Sequence, residues 1–96
     1  MPVTRCNWFI ARDTMAGAVG AALQSIAPII EQLAGCERCQ VLQSQDNPNE
    51  FLVLEVWTSV AAHQAAVAAI PAESLGAVLP LLDGPPRGGY YTSLVG

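Results

Sequence analysis

An α+β fold in the order strand, helix, strand, strand, helix, strand is predicted by three features of this 96-residue chain. The first is the stretch from Asn49 to His63. There Phe51, Val53, Glu55 and Trp57 alternate with Leu52, Leu54 and Val56, as a strand requires, before Ser59 offers an N-cap to a helix through Ala61, Ala62 and His63. The second is a stripe of apolar residues at spacings of three and four (Met15, Val19, Leu23, Ile26, Ile30, Leu33), which reads as one face of a long helix. The third is Asp46-Asn47-Pro48, a turn joining two strand-like runs with no helix between them. This order is the split βαβ arrangement of ferredoxin-like βαββαβ folds: a four-stranded antiparallel sheet with helices on one face. One domain spanning 1–96 is expected from the length.

Taken in order, Pro2 to Arg12 reads as the first strand, with Cys6, Trp8 and Ile10 on one face and Val3, Arg5, Asn7 and Phe9 on the other. Asp13 and Thr14 open the first helix. Gly17 and Gly20 weaken it, Pro28 should kink it near Gln24, and Gly35 is placed to cap its C-terminus. The second strand is expected over Cys36 to Gln45. After the Ser59 helix, Pro71 marks a break, and Leu75, Val78 and Leu79 suggest a further short helix stopped or bent by Pro80. Arg87 to Val95 makes the last strand, loosened by Gly88 and Gly89 and held by Tyr90 and Tyr91.

Right-handed crossovers put the first and third strands at the sheet centre as antiparallel neighbours. The start of one then lies beside the end of the other, which gathers Arg5, Asn7, Glu55 and Trp57 on one face. The even-numbered face of the third strand is purely aliphatic and is expected to take the helices. The odd-numbered face, with its carboxylate and indole, is expected to border a partly polar cavity away from them, because a buried carboxylate is costly unless paired.

Composition sets further limits. Hydrophobic residues make up 52% of the chain and charged residues 12%, more apolar surface than one small core can hide. A subunit interface or a ligand cavity should take the surplus, and bare edge strands add a reason to expect a homodimer. The net charge of −4 comes from eight acids against four bases, all of them arginine, so nucleic acid is an unsuitable partner. No targeting peptide is visible near Met1, and the apolar run from Val60 to Ile70 is too short to span a bilayer, so no membrane partner is expected. Three cysteines without an export signal suit a reducing cytoplasm. Cys36 and Cys39 resemble half of a redox or zinc motif. On a strand, however, their spacing would send the thiols to opposite faces, and no metal site is expected.

The run Glu55-Val56-Trp57-Thr58-Ser59 resembles the antibiotic-biosynthesis-monooxygenase-like (ABM) family of small dimeric α/β barrels. Gly35-Cys36 at the start of the second strand, the Asp46-Asn47-Pro48 turn, and Leu81-Leu82-Asp83-Gly84-Pro85-Pro86 before the last strand extend the likeness over nearly the whole chain. The resemblance implies that the odd-numbered face lines the interior of a half-barrel and meets a second subunit. It also implies a cofactor-independent monooxygenase, with no cofactor, acting on a small electron-rich aromatic of quinol or anthrone type. Two other classes stay open: a non-catalytic small-molecule-binding module of the same fold, and an isomerase or lyase of a small carbonyl compound.

Candidate catalytic residues are His63, Trp57 and Glu55, and candidate substrate-binding residues are Arg5, Asn7, Phe9 and Val53. Trp57 is a core filler or a wall for a flat aromatic, its indole N–H a donor in the pocket. Glu55 is ion-paired to Arg5, the favoured reading, or a general base with a pKa raised by desolvation. Asn7 is a pocket hydrogen-bonding group or an outward-facing strand residue. His63, the one histidine, has an ordinary pKa of about 6.5, suited to proton abstraction, unless it is an exposed helix residue. Oxidising members of the family resemble this arrangement of a Trp followed by a phenol or imidazole one turn into the next helix. Other features of the family are absent. The histidines that members place near Ala66 and Pro71 are missing, Val53 stands where some carry an amide, and the third helix has no arginine. The haem-degrading branch shares an Asn like Asn7, but it needs a Trp and an axial His that Ala65 to Leu79 lacks, so haem is not expected.

Overall fold

The computed structural model of the chain describes residues 1–70 and 75–96. They contain four strands and two helices: β1 (Val3–Ile10), α1 (Ala16–Glu31), β2 (Cys36–Gln43), β3 (Glu50–Trp57), α2 (Val60–Ala69) and β4 (Arg87–Tyr91). The sheet order is β2-β3-β1-β4, every pair antiparallel. The ferredoxin-like order and the central β1–β3 pair are therefore as expected, with Arg5 opposite Glu55 and Val3 opposite Trp57.

The helices cover the other face from the one expected. Phe9, Phe51, Val53 and Trp57 pack with Val19, Leu23, Ile26 and Ile30 of α1 and with Ala66 of α2. The odd-numbered residues of β3 are all buried, whereas Leu52, Leu54 and Val56 are only half-buried. The expectation failed because it treated the carboxylate as an obstacle to burial. Glu55 is 5% exposed, but both its oxygens accept hydrogen bonds from side chains on the same face. That pairing removes most of the penalty that would have kept it out, and Phe51 and Trp57 on either side supply the large apolar surfaces that a helix layer needs.

Local differences have local causes. Met15, not Asp13 or Thr14, is the N-cap of α1, and Thr14 adopts a left-handed conformation (φ 70°) in the turn that precedes it. The helix runs on through Pro28 and closes at Gln32. Gly35 is therefore not its cap. It is needed three residues later, where φ is +87° and a Cβ would stand 2.7 Å from that of Ala62 on α2. A bulge between Cys36 and Arg38 shifts the register of β2 and puts Cys36 opposite Trp57 and Cys39 opposite Glu55. The two thiols therefore share a face, contrary to the alternation argument, because a bulge inserts one residue into the count. Both are free, and burial pushes them away from the thiolate form, Cys39 to about 12.

Ser59 caps α2 as expected, its hydroxyl accepting from the Ala62 N–H at 3.1 Å. The expected break at Pro71 lies outside the described residues. Beyond it Pro80 lies in a 3-10 turn (Leu79–Leu81); Val78 is buried there, while Leu75 and Leu79 are exposed. β4 ends at Tyr91 instead of Val95, and Leu94 and Val95 are almost fully exposed.

Candidate active site

Between the sheet and the helices lies a cavity of about 220 Å³. Seven residues singled out from the sequence (Arg5, Asn7, Phe9, Val53, Glu55, Trp57 and His63) all border it. Leu23, Ile26 and Ile30 of α1, Val67 and Ile70 from α2 and its end, and Val78 make most of the remaining lining apolar, and Arg87 also borders it. The same alternation that makes β3 a strand aligns Val53, Glu55 and Trp57, and the β1–β3 register adds Arg5 and Asn7 beside them.

The polar end is a chain of hydrogen bonds that converges on Glu55. Trp57 Nε1 donates to Glu55 Oε1 at 2.9 Å, and Asn7 Nδ2 donates to Glu55 Oε2 at 3.2 Å. Arg5 Nε donates to Asn7 Oδ1 at 3.1 Å. Two expectations are corrected here. The indole N–H is engaged by Glu55 and is not a free donor in the cavity. Arg5 reaches Glu55 through the Asn7 amide, and no direct ion pair between them forms among the described residues. Burial raises the Glu55 pKa above the ordinary value, opposed by the bond from Trp57, the charge of Arg5 and the bond from Asn7.

The phase of α2, set by the Ser59 cap, turns His63 inward instead of leaving it on the helix exterior; it is 8% exposed. Its ring stands edge-on to Trp57 with centroids 5.3 Å apart. Nδ1 lies 2.7 Å from the Tyr90 hydroxyl, and Nε2 faces Glu55 Oε1 at 3.9 Å, too long for a direct hydrogen bond. Burial, and then the positive charge of Arg5, lower its pKa below 6.5, so the imidazole is neutral at neutral pH. Among the described residues no cluster of three or more His, Cys, Asp or Glu is arranged to hold a metal ion.

Tyr90 was not singled out as a site residue. The signal was present in the strand pairing: Tyr90 is opposite Arg5, so it shares the face of Arg5 and Glu55. The Arg5 guanidinium carbon lies 4.7 Å from the centroid of the Tyr90 ring. Gly88 makes this possible, since a Cβ there would collide with that guanidinium and with Asn7 Oδ1.

A ferredoxin-like α+β fold with a buried carboxylate, indole and imidazole at one end of a largely apolar cavity defines the class of protein. A family model described as antibiotic biosynthesis monooxygenase matches residues 6–69, and the chain belongs to that family. Its fold is similar to that of SnoaB, a cofactor-independent oxygenase from Streptomyces nogalater (22% identity, 99% of this chain and 95% of that one, TM-score 0.84). It is also similar to Rv0793 from Mycobacterium tuberculosis (21% identity, 100% and 98%, TM-score 0.82) and to PA3566 from Pseudomonas aeruginosa (20% identity, 98% and 95%, TM-score 0.82). These likenesses concern the fold. No functionally curated protein matches the sequence.

Proposed function

We propose that the cavity binds a small electron-rich phenol of one or two rings and catalyses its oxygenation by dioxygen without a cofactor. The observation that carries this reading is the Glu55–His63 pair at the polar end of a largely apolar cavity. Triplet dioxygen reacts poorly with closed-shell molecules, but a phenolate can give it an electron directly. The protein then has to supply a dry flat site, a base and a donor for the oxyanion. Glu55, with its pKa raised by burial, and His63, neutral, are the two groups able to take the proton. Phe9, Val53 and Trp57 hold the ring, and Asn7 and Arg5 keep Glu55 in place. In balance, a phenol with an unsubstituted para carbon loses its O–H and that C–H hydrogen. One atom of dioxygen becomes the new carbonyl oxygen and the other leaves as water.

The volume bears on the substrate. An apolar cavity of about 150 Å³ holds benzene, so 220 Å³ suits one or two fused rings better than a larger polycycle. SnoaB, described as a cofactor-independent oxygenase, shares the fold and lends the reading support. The working unit in this proposal is a homodimer. The sheet face without helices carries Trp8, Leu52, Leu54 and Val56, half-buried, and Ile10, exposed, while Leu94 and Val95 stand out beyond β4. A second copy presenting the same self-complementary face would cover them. No helix among the described residues is long and apolar enough to cross a membrane, and the three free thiols suit a reducing cytoplasm.

The test is incubation of one- and two-ring phenols under ¹⁸O₂. One ¹⁸O atom per quinone product is expected. Saturable binding without oxygen consumption would favour a binding module instead, and product formation without oxygen an isomerase or lyase.

A further inference from the structure

Resting on that reading, we propose that Tyr90 is a positioning residue that holds His63 in the tautomer with its hydrogen on Nε2, so that His63 donates to the substrate oxygen and Glu55 takes its proton. A neutral imidazole carries one N–H. With that hydrogen on Nδ1, the Nε2 lone pair would face the Glu55 carboxylate at 3.9 Å, one electron-rich atom against another. With the hydrogen on Nε2, the N–H points at the carboxylate, and Nδ1 accepts from the Tyr90 hydroxyl at 2.7 Å. Only the second arrangement is favourable at both ends of the ring.

Arg5 reinforces it. Its guanidinium lies over the Tyr90 ring, and its charge opposes a second proton on the imidazole. Glu55 from β3, Tyr90 from β4 and Arg5 from β1 are the titratable and charged groups that face His63 among the described residues. The bonds from Arg5 to Asn7, and from Asn7 and Trp57 to Glu55, all run toward that carboxylate.

With Nε2 and Oε1 3.9 Å apart, one hydroxyl oxygen seated to the side of the line between them can lie about 2.7–3.0 Å from both. A phenol seated there donates its O–H to Glu55 and accepts from His63. When its proton passes to Glu55, the phenolate oxygen keeps the Nε2–H bond, and the anion is held where it forms. This separates the roles of the Glu55–His63 pair and gives Tyr90 one, although Tyr90 lies outside the residues 6–69 that the family model covers.

Because His63 is the single histidine, imidazole ¹⁵N signals of the full chain belong to it alone. At pH 7.5 the wild-type spectrum should show a protonated Nε2 and a bare Nδ1. In Tyr90→Phe, which removes only a hydroxyl, that bias should weaken and the imidazole pKa should rise toward its ordinary value. A wild-type protein with the hydrogen on Nδ1, or a Tyr90→Phe spectrum and titration unchanged from wild type, would overturn the assignment. In oxygenation of a para-unsubstituted phenol, Tyr90→Phe should lower kcat about ten- to a hundred-fold, as loss of an orienting partner does. His63→Gln, which keeps an N–H donor and has no base, should retain at least about ten times the kcat of His63→Ala. Equal losses in those two variants would make His63 the base and sink the assignment. Absence of oxygen consumption by the wild type would refute the oxygenase reading, and the ¹⁵N spectra would decide the tautomer independently.

Discussion

The two faces of the sheet are built from the same strands, yet they handle polarity in opposite ways. Beneath the helices, Phe9, Phe51, Val53 and Trp57 are buried together with a carboxylate. On the open face, Trp8, Leu52, Leu54 and Val56 stay half-buried although they include no charge at all. What decides burial here is whether polar groups find partners, not how apolar a face is on average. Glu55 and Trp57 are two residues apart on one strand, so they share a side, and the register of β1 sets Asn7 diagonally across from Glu55. The donors were therefore built into the alternation. The open face lacks an internal cover, which is why a second copy is the proposed one.

The two tryptophans put this contrast to its most severe test. Trp57 is 1% exposed and bonded to Glu55. Trp57→Ala should cost about 3–5 kcal/mol at every protein concentration and leave a buried carboxylate one donor short. Trp8 packs edge-on to Tyr91 with Arg87 over its ring. Trp8→Ala should cost the single chain less than half as much and act mainly by weakening self-association. Urea unfolding at several concentrations separates the two, and equal, concentration-independent losses would erase the distinction between the faces.

A charge on the open face should have the next largest effect. Leu54→Asp is expected to leave the secondary structure unchanged and to drop the mass seen by light scattering from that of a dimer to that of the 10.1 kDa chain. A wild-type protein that already scatters as a single chain would remove the second copy altogether. Smaller still is the cap: Ser59→Ala removes the bond to Ala62 and should cost about 1 kcal/mol by urea unfolding.

The smallest expected effect is on pH dependence. The folded-state pKa of His63 is lowered from 6.5, so the unfolded chain takes up that proton first as pH falls. Its contribution is complete above pH 6.5 and is lost as pH drops toward the folded value. Glu55 runs the other way. Its pKa is raised from 4.5, so stability is greatest below that value and declines as pH rises through the folded pKa. Between pH 4.5 and 7, stability should climb with pH more steeply in Glu55→Gln than in wild type, and less steeply in His63→Gln. Parallel curves for the two variants would mean that neither group is held as described.

Much of this was legible before the structure because it follows from local rules. Strand alternation and the β1–β3 register are enough to assemble Arg5, Asn7, Val53, Glu55 and Trp57, and a capping serine at Ser59 starts α2 where it does. The choice of face was not legible. The α1 stripe of Val19, Leu23, Ile26 and Ile30 would pack on either side of the sheet, and hydrogen bonds between side chains on different strands made the decision. The bulge that brings Cys36 and Cys39 to one face leaves no local mark in Cys36-Glu37-Arg38-Cys39. Tyr90 was hidden for a related reason: its strand is short and begins Arg87-Gly88-Gly89, so its pairing was readable only once β1 was known to be its neighbour. Gly35, placed from the sequence at a helix end, is instead required by the approach of Ala62 from an element more than twenty residues away.

Oxygen consumption by wild type and by Glu55→Gln, with a para-unsubstituted phenol of one or two rings, tests the chemistry assigned to the covered face most directly. Binding is followed in parallel through Trp57 fluorescence in a Trp8→Phe background. The wild type should use one dioxygen per quinone formed, and Glu55→Gln should bind the phenol about as well while turning it over roughly a hundred- to ten-thousand-fold more slowly. Equal turnover by the two proteins would show that the buried carboxylate takes no proton, and the assignment of the site would fail.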